Sequence, residues 1–88
     1  MPQLILSIED KPKSNDQIIE FLQKQYELTT REAHIAILIA DGKTINEVAE
    51  ERNVSRNTIK SQLNQVYFKT NCPKQSKLAG LIKEIRLY

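Results

Sequence analysis

Basic and amide side chains recur at helical spacing between residues 56 and 64. Ile59, Leu63 and Val66 mark the opposite, inward face of the same helix, so these polar groups face outward. Lysine and arginine donate hydrogen bonds to guanine O6 and N7, and asparagine pairs with adenine. This pattern predicts a helix that reads bases in the major groove of duplex DNA. The side chains predicted to contact bases are Arg56, Asn57, Lys60, Ser61 and Asn64.

The charge distribution supports a polyanionic partner. The whole chain has a net charge of only +2, and residues 1–27 hold three basic and five acidic residues, a net −2. Residues 52–83, in contrast, hold seven basic residues and no acidic one. A stretch of one sign attracts nucleic acid, although it is also compatible with a solvated surface that lacks acids.

Other kinds of chemistry find little support. His34 is the only histidine and has no second ligand at metal-binding spacing, so we expect no metal site. Cys72 lacks a context that would lower its pKa, and an inert thiol is the simpler interpretation than a redox switch. The serines lack a nucleophile motif, and neither a phosphate-binding glycine loop nor a paired acid site is present. We therefore expect neither an enzyme nor a bound cofactor.

Size and composition limit the architecture. With 88 residues, the chain can form one small domain with an appendage, and its core must be thin. No apolar run approaches the roughly 20 residues of a membrane span, and no signal peptide is recognisable. The single cysteine favours a reducing compartment, so we expect a cytoplasmic protein with no membrane partner.

Apolar periodicity and capping residues predict five helices, at about 15–26, 31–40, 45–52, 56–70 and 75–87. Three of them begin with a hydroxyl residue followed three positions later by Glu or Gln, the spacing of a capping box. Ser55 is the predicted cap of the fourth helix. Residues 3–8 are apolar and β-branched enough for a short strand. The three predicted boxes are Ser14 with Gln17, Thr29 with Glu32, and Thr44 with Glu47.

The third and fourth helices have the layout of a helix-turn-helix, in which two short helices are joined by a tight turn, here at Asn53 and Val54. Short motifs around them resemble the LuxR/GerE-type DNA-binding domain over residues 28–87. The motifs are individually common, but their order and spacing are fairly specific. They are Leu28-Thr29-x-Arg31-Glu32, Gly42-Lys43-Thr44, Glu47-Val48-Ala49, Ser55, Thr58-Ile59-Lys60, and Leu63 with Lys69.

The resemblance implies an all-α fold, a four-helix helix-turn-helix bundle with an additional N-terminal amphipathic helix. Residues 1–27 would be the N-terminal extension and residues 28–88 the DNA-binding domain. The family's third helix, here about 56–70, reads DNA, and its fourth often forms a dimer. Residues 1–27 are too few for the receiver or sensing domain that family members often carry. If the chain is complete, the resemblance implies a small stand-alone transcriptional regulator, and the alternative is a fragment of a larger regulator.

The resemblance also implies roles for individual residues. Base contacts would come from Lys60, Ser61 and Asn64. Arg31 and Glu32 would tie their helix to the rest of the bundle. Four positions depart from the usual family pattern, namely Gln62, Phe68, Thr70 and Gln75, and Phe68 could touch a partner or the N-terminal segment. The implied phosphate contacts are Thr44, Asn46, Ser55, Thr58 and Lys69, and the implied homodimer interface comprises Lys77, Gly80, Leu81 and Glu84.

The second helix has an apolar stripe beyond its usual core face, formed by Ala33, Ile37 and Ala40. We hypothesise that the N-terminal helix covers this stripe through Ile18, Leu22 and Tyr26, either within one chain or across a dimer.

Two other functions stay open at this point. A sigma-factor promoter-reading domain has a similar helix-turn-helix. The short Gly42-Lys43-Thr44 segment before the third helix favours the LuxR/GerE type. The chain could also be a protein–protein adaptor that binds or sequesters RNA polymerase or another regulator. The acidic N-terminal segment fits an adaptor, whereas the basic window of residues 52–83 favours DNA.

Overall fold

The computed structural model describes residues 13–87, and this part of the chain is entirely helical, as predicted. The predicted strand at residues 3–8 lies outside the described residues. No helix between residues 13 and 87 has the length and apolarity needed to cross a bilayer. The five helices are α1 (Asn15–Tyr26), α2 (Thr30–Ala40), α3 (Ile45–Arg52), α4 (Arg56–Thr70) and α5 (Gln75–Leu87).

The predicted capping boxes form at the starts of α1, α2 and α3. In each box the cap hydroxyl accepts a hydrogen bond from the amide three residues on, and the side chain of that residue accepts one from the cap's own amide. In the box of α2 these N···O distances are 3.1 and 2.9 Å. Thr29 is the cap, so α2 begins at Thr30, one residue earlier than predicted.

Residues with a left-handed backbone conformation follow α2, α3 and α4. Gly42 follows α2 with a φ of +99°, and its amide and that of Lys43 bond back to the carbonyls of Ile39 and Leu38. This paired pattern satisfies carbonyls that the last helical turn leaves open. Asn53 and Asn71 take the same left-handed conformation after α3 and α4, with φ values of 57° and 58°.

Helix α2 is the centre of the bundle, because it packs against all four other helices. Its buried residues span an arc of roughly 200° around the helix, and Thr30 and Arg31 lie on the exposed remainder. Glu32 is the only charged side chain among the buried residues of α2. The buried residues of α2 are Glu32, Ala33, Ile35, Ala36, Ile37 and Ile39.

Helix α1 packs on α2 and α5 within the same chain. Ile18 and Leu22 are completely buried and Tyr26 is half-buried, while Ile37 of α2 is also buried. The burial of these residues agrees with the prediction that α1 covers the apolar stripe of α2, and the contact lies within one chain. The hydrophobic core therefore continues from α1 into the rest of the bundle, and a division between extension and domain at residue 27 stays a prediction.

Two of the departures from the family pattern lie next to the last helix and are satisfied by hydrogen bonds. Thr70 is buried, and its hydroxyl donates to the carbonyl of Val66 at 2.7 Å. The side-chain amide nitrogen of Gln75, Nε2, donates to the backbone carbonyl of Ile39 at 2.9 Å. Because each polar group has a partner, neither residue prevents α5 from packing on α2.

Replacing Leu22 by alanine tests whether α1 belongs to the shared core. We expect Leu22→Ala to lower the free energy of unfolding by about 2–5 kcal/mol, because it leaves a cavity at a fully buried position. Gln25→Ala, an exposed position on the same helix, should change it by less than about 0.5 kcal/mol. Urea unfolding followed by circular dichroism measures both values. Separate unfolding of α1 before the rest would contradict the shared core.

Candidate nucleic-acid interface

Helices α3 and α4 are joined by residues 53–55 and form a helix-turn-helix. Helix α4 packs against both α2 and α3. Ile59 and Val66 are completely buried and Leu63 is 5% exposed, so these three residues hold α4 on the core. The opposite face of α4 is therefore held outward.

All five side chains predicted to read bases are exposed. With about 100° between successive residues of a helix, Arg56, Asn57, Lys60, Ser61 and Asn64 span an arc of roughly 140°. Neither Arg56 nor Lys60 forms an ion pair with any residue between 13 and 87. These side chains thus form a convex polar face, and its cations are available to an external anion.

Phe68 extends this face toward the C-terminal end of α4. It lies four residues after Asn64, so the two side chains are neighbours on the helix. With 82% of its surface exposed, Phe68 is the most exposed of the large apolar residues in the described chain. It makes little contact with α1, the described part of the N-terminal segment.

The N-terminus of α4 is a positive end without a compensating acid. Its cap, Ser55, accepts from the amide of Thr58 at 3.1 Å, and the two hydroxyl oxygens lie 2.9 Å apart. One of these hydroxyls donates to the other, which leaves one O–H free. The first turn of α4 contains no acidic residue, so the helix dipole favours an anion there.

The N-terminus of α3 differs because it already contains an acid. The backbone amide of Thr44, and to a smaller extent its hydroxyl, hydrogen-bond the Glu47 carboxylate. These bonds hold the pKa of Glu47 below its ordinary value. The Thr44 hydroxyl oxygen also accepts from the Glu47 amide at 3.1 Å. Thr44 and Asn46 are both exposed, as a contact with phosphate requires.

Lys69 lies in a different environment from the other predicted phosphate residues. Its ammonium donates to Glu32 Oε1 at 2.9 Å and to the Glu27 carbonyl at 3.4 Å, and its side chain is only 28% exposed. Burial raises the pKa of Glu32, but the hydrogen bonds from Lys69 and Thr29 outweigh that effect and lower it. Glu32 therefore ties α2 to the bundle, whereas Arg31 is exposed and bonds no described side chain.

The residues predicted to form a dimer lie together on α5. Lys77, Gly80 and Glu84 are exposed, and Leu81 is half-buried. A Cβ placed on Gly80 would meet nothing within 4 Å, so the surface above it is open. All four residues line a shallow groove of about 510 Å³ between α5 and the turn before it.

The cysteine is not part of the exposed polar face of α4. No group of three or more potential metal ligands occurs within residues 13–87. Cys72 is buried, with its sulfur 3.7 Å from the carbonyl of Thr70. The surface consists instead of exposed cations, amides and hydroxyls around α4, which is the chemistry of phosphate and base recognition.

Comparison with known proteins identifies the type of domain. The family model GerE, described as bacterial regulatory proteins of the luxR family, matches residues 26–82, which is more than half of the chain. No curated protein and no solved structure matches this chain. The match covers most of α2 through α5 and confirms the resemblance that the motifs indicate.

Glu32→Gln removes the ion pair with Lys69 but keeps an oxygen for the Thr29 amide. We expect it to lower the free energy of unfolding at pH 7 by roughly 1–3 kcal/mol, because the ammonium of Lys69 loses its charged partner. The folded-state pKa of Glu32 is depressed. Its contribution is therefore complete above the unfolded pKa of about 4.3 and is lost as pH falls through the folded pKa.

Urea titrations between pH 3 and pH 7 measure this effect. Glu50→Gln, an exposed position on α3, is the matched control and should follow the native protein throughout. An equal acid-induced loss of stability in Glu32→Gln and the native protein would show that the ion pair contributes nothing.

Proposed function

We propose, because the chain belongs to the LuxR family of bacterial regulatory proteins, that it is a small transcriptional regulator that recognises a specific sequence in duplex DNA. The family's helix-turn-helix is a DNA-binding domain. In this proposal α4 lies in the major groove with its N-terminal half against the base edges. The observation that carries the proposal is the exposed, acid-free face of α4, held outward by its buried apolar side. The protein would act in the cytoplasm, where it meets bacterial DNA.

Base contacts are assigned to the exposed side chains at the centre of this face. Lys60 is suited to guanine O6 and N7, and Asn64, one turn further on, to adenine. Ser61 and Asn57 lie beside them and can donate or accept. Arg56, in the first turn, reaches either a base edge or the adjoining backbone.

Phosphate contacts are assigned to the two helix N-termini that flank the turn. Thr44 and Asn46 at α3, and Ser55 and Thr58 at α4, offer hydroxyl, amide and backbone donors. Lys69 would contribute one contact at most, because two of its three N–H groups are already used within the protein.

A homodimer on a two-fold symmetric site is the second part of the proposal. In an antiparallel pair of α5 helices centred between Gly80 and Leu81, Lys77 of one copy would lie opposite Glu84 of the other. The two residues are equally far from that centre in sequence, as an isologous contact requires. The open surface at Gly80 would allow the two helices to approach closely.

Selection from a random duplex pool tests sequence recognition directly. The native protein should enrich a partly palindromic motif, and Lys60→Ala should bind that motif more weakly by about 1–3 kcal/mol with relaxed preference at one position. Lys24→Ala, an exposed lysine on α1, is the control and should leave the motif unchanged. Enrichment of no motif would contradict sequence-specific recognition.

Exchanging charges on α5 tests the dimer. Lys77→Glu should weaken dimerisation by roughly 0.2–1 kcal/mol for each of the two symmetric pairs, and adding Glu84→Lys should restore it. Lys83→Glu, on another face of α5, is the matched control. Sedimentation equilibrium in the presence and absence of duplex measures the effect. A double variant no better than the single one would exclude this pairing.

A further inference from the structure

A small cavity lies beside the first two turns of α4, at the junction of three helices. Its volume is about 260 Å³. Two arginines from different helices reach it, Arg31 from the first turn of α2 and Arg52 from the last turn of α3. Thr58 and Gln62 contribute polar groups from α4, and Val54 and Ile59 complete the lining.

Both arginines lack an acidic partner among residues 13–87, although each stands next to a glutamate in sequence. Glu32, beside Arg31, bonds Lys69 at 2.9 Å. Glu51, beside Arg52, bonds Lys43 at 3.0 Å. No carboxylate lines the cavity. Two like charges therefore share one concavity, an arrangement that an anion between them stabilises.

The size and composition of the cavity favour a single phosphate group. Small-molecule pockets typically hold about 300–1,000 Å³ and are mostly apolar. This cavity is smaller and is lined by two arginines, residues whose planar guanidinium groups match the geometry of phosphate oxygens. The hydroxyl of Thr58 adjoins it at the N-terminus of α4, where the helix dipole also favours negative charge.

The position of the cavity identifies the source of that phosphate. Thr58 and Gln62 lie one turn apart on the flank of α4, roughly 60° and 100° of rotation beyond Ser61, the residue at the edge of the base-reading face. They are therefore outside the base-reading face but beside it. When a recognition helix occupies the major groove, the sugar-phosphate backbones border its flanks.

We propose that Arg31 and Arg52 together bind a backbone phosphate of the DNA duplex on this flank of α4. This inference rests on the proposed function, because it requires α4 to lie in the major groove. It gives Arg31, which the family resemblance treats as structural, a direct role in binding.

The salt dependence of duplex binding tests the inference. Each phosphate contact contributes a slope of about −0.9 to a plot of log K against log salt concentration. Arg31→Gln and Arg52→Gln should each reduce the slope by up to that amount, and should weaken the selected and unrelated duplexes by the same factor. Arg52→Lys should keep part of the slope because it retains the charge. Lys24→Gln, which removes one charge from α1, is the matched control.

Thermal unfolding of each variant shows whether the fold is intact at the temperature used for binding. If Arg31→Gln and Arg52→Gln keep the slope of Lys24→Gln while the native protein binds its selected duplex, the inference is wrong and the proposed function stands. If the native protein binds no duplex, the proposed function itself fails.

A second measurement distinguishes a free anion from the DNA backbone. In NMR spectra, the arginine Nε–H signals of the native protein are followed as inorganic phosphate is added. Shifts in both arginine signals with an unchanged slope for the variants would assign the cavity to a free anion and overturn the DNA contact. A reduced slope in the variants supports the DNA contact.

Discussion

The bundle depends on the packing of four helices around one central helix. Helix α2 contacts each of the other four, and six of its eleven residues are buried. A charged group in such a helix must be satisfied within the protein, because burying an unpaired charge is strongly unfavourable. Glu32 is that group, and its partner, Lys69, lies in the last turn of α4. The buried carboxylate of Glu32 thus holds the C-terminal end of α4 against α2.

The capping residues control the other end of α4 by setting where the helix starts. Moving a helix start by one residue would rotate the later side chains by about 100° relative to the first turn. The cap at Ser55, together with the buried Ile59, Leu63 and Val66, therefore determines which side chains face outward. The helix cap and the buried residues favour the same orientation of α4, so the polar face of the helix is turned outward.

Local signals made the helices and their starts predictable from sequence. A capping box involves residues three apart, and the apolar spacing of α4 lies within one helix, so both are visible in a linear chain. The partner of Lys69 was not predictable in this way, because Glu32 lies 37 residues earlier and only the fold brings the two together. For the same reason the sequence does not connect Arg31 with Arg52, which belong to different helices and line one cavity only in the fold. The hydrogen bonds of Thr70 and Gln75 likewise depend on how α4 and α5 are packed.

The asparagines on either side of α4 affect the unfolded chain as well as the folded one. Asn53 precedes α4 and Asn71 follows it, and both occupy the left-handed region where glycine is the usual residue. Asparagine tolerates this conformation, but its side chain restricts the unfolded backbone more than glycine does. The chain contains only two glycines, and neither adjoins α4. Folding therefore removes less conformational freedom at these two joints, which favours the native state of a domain whose core is small.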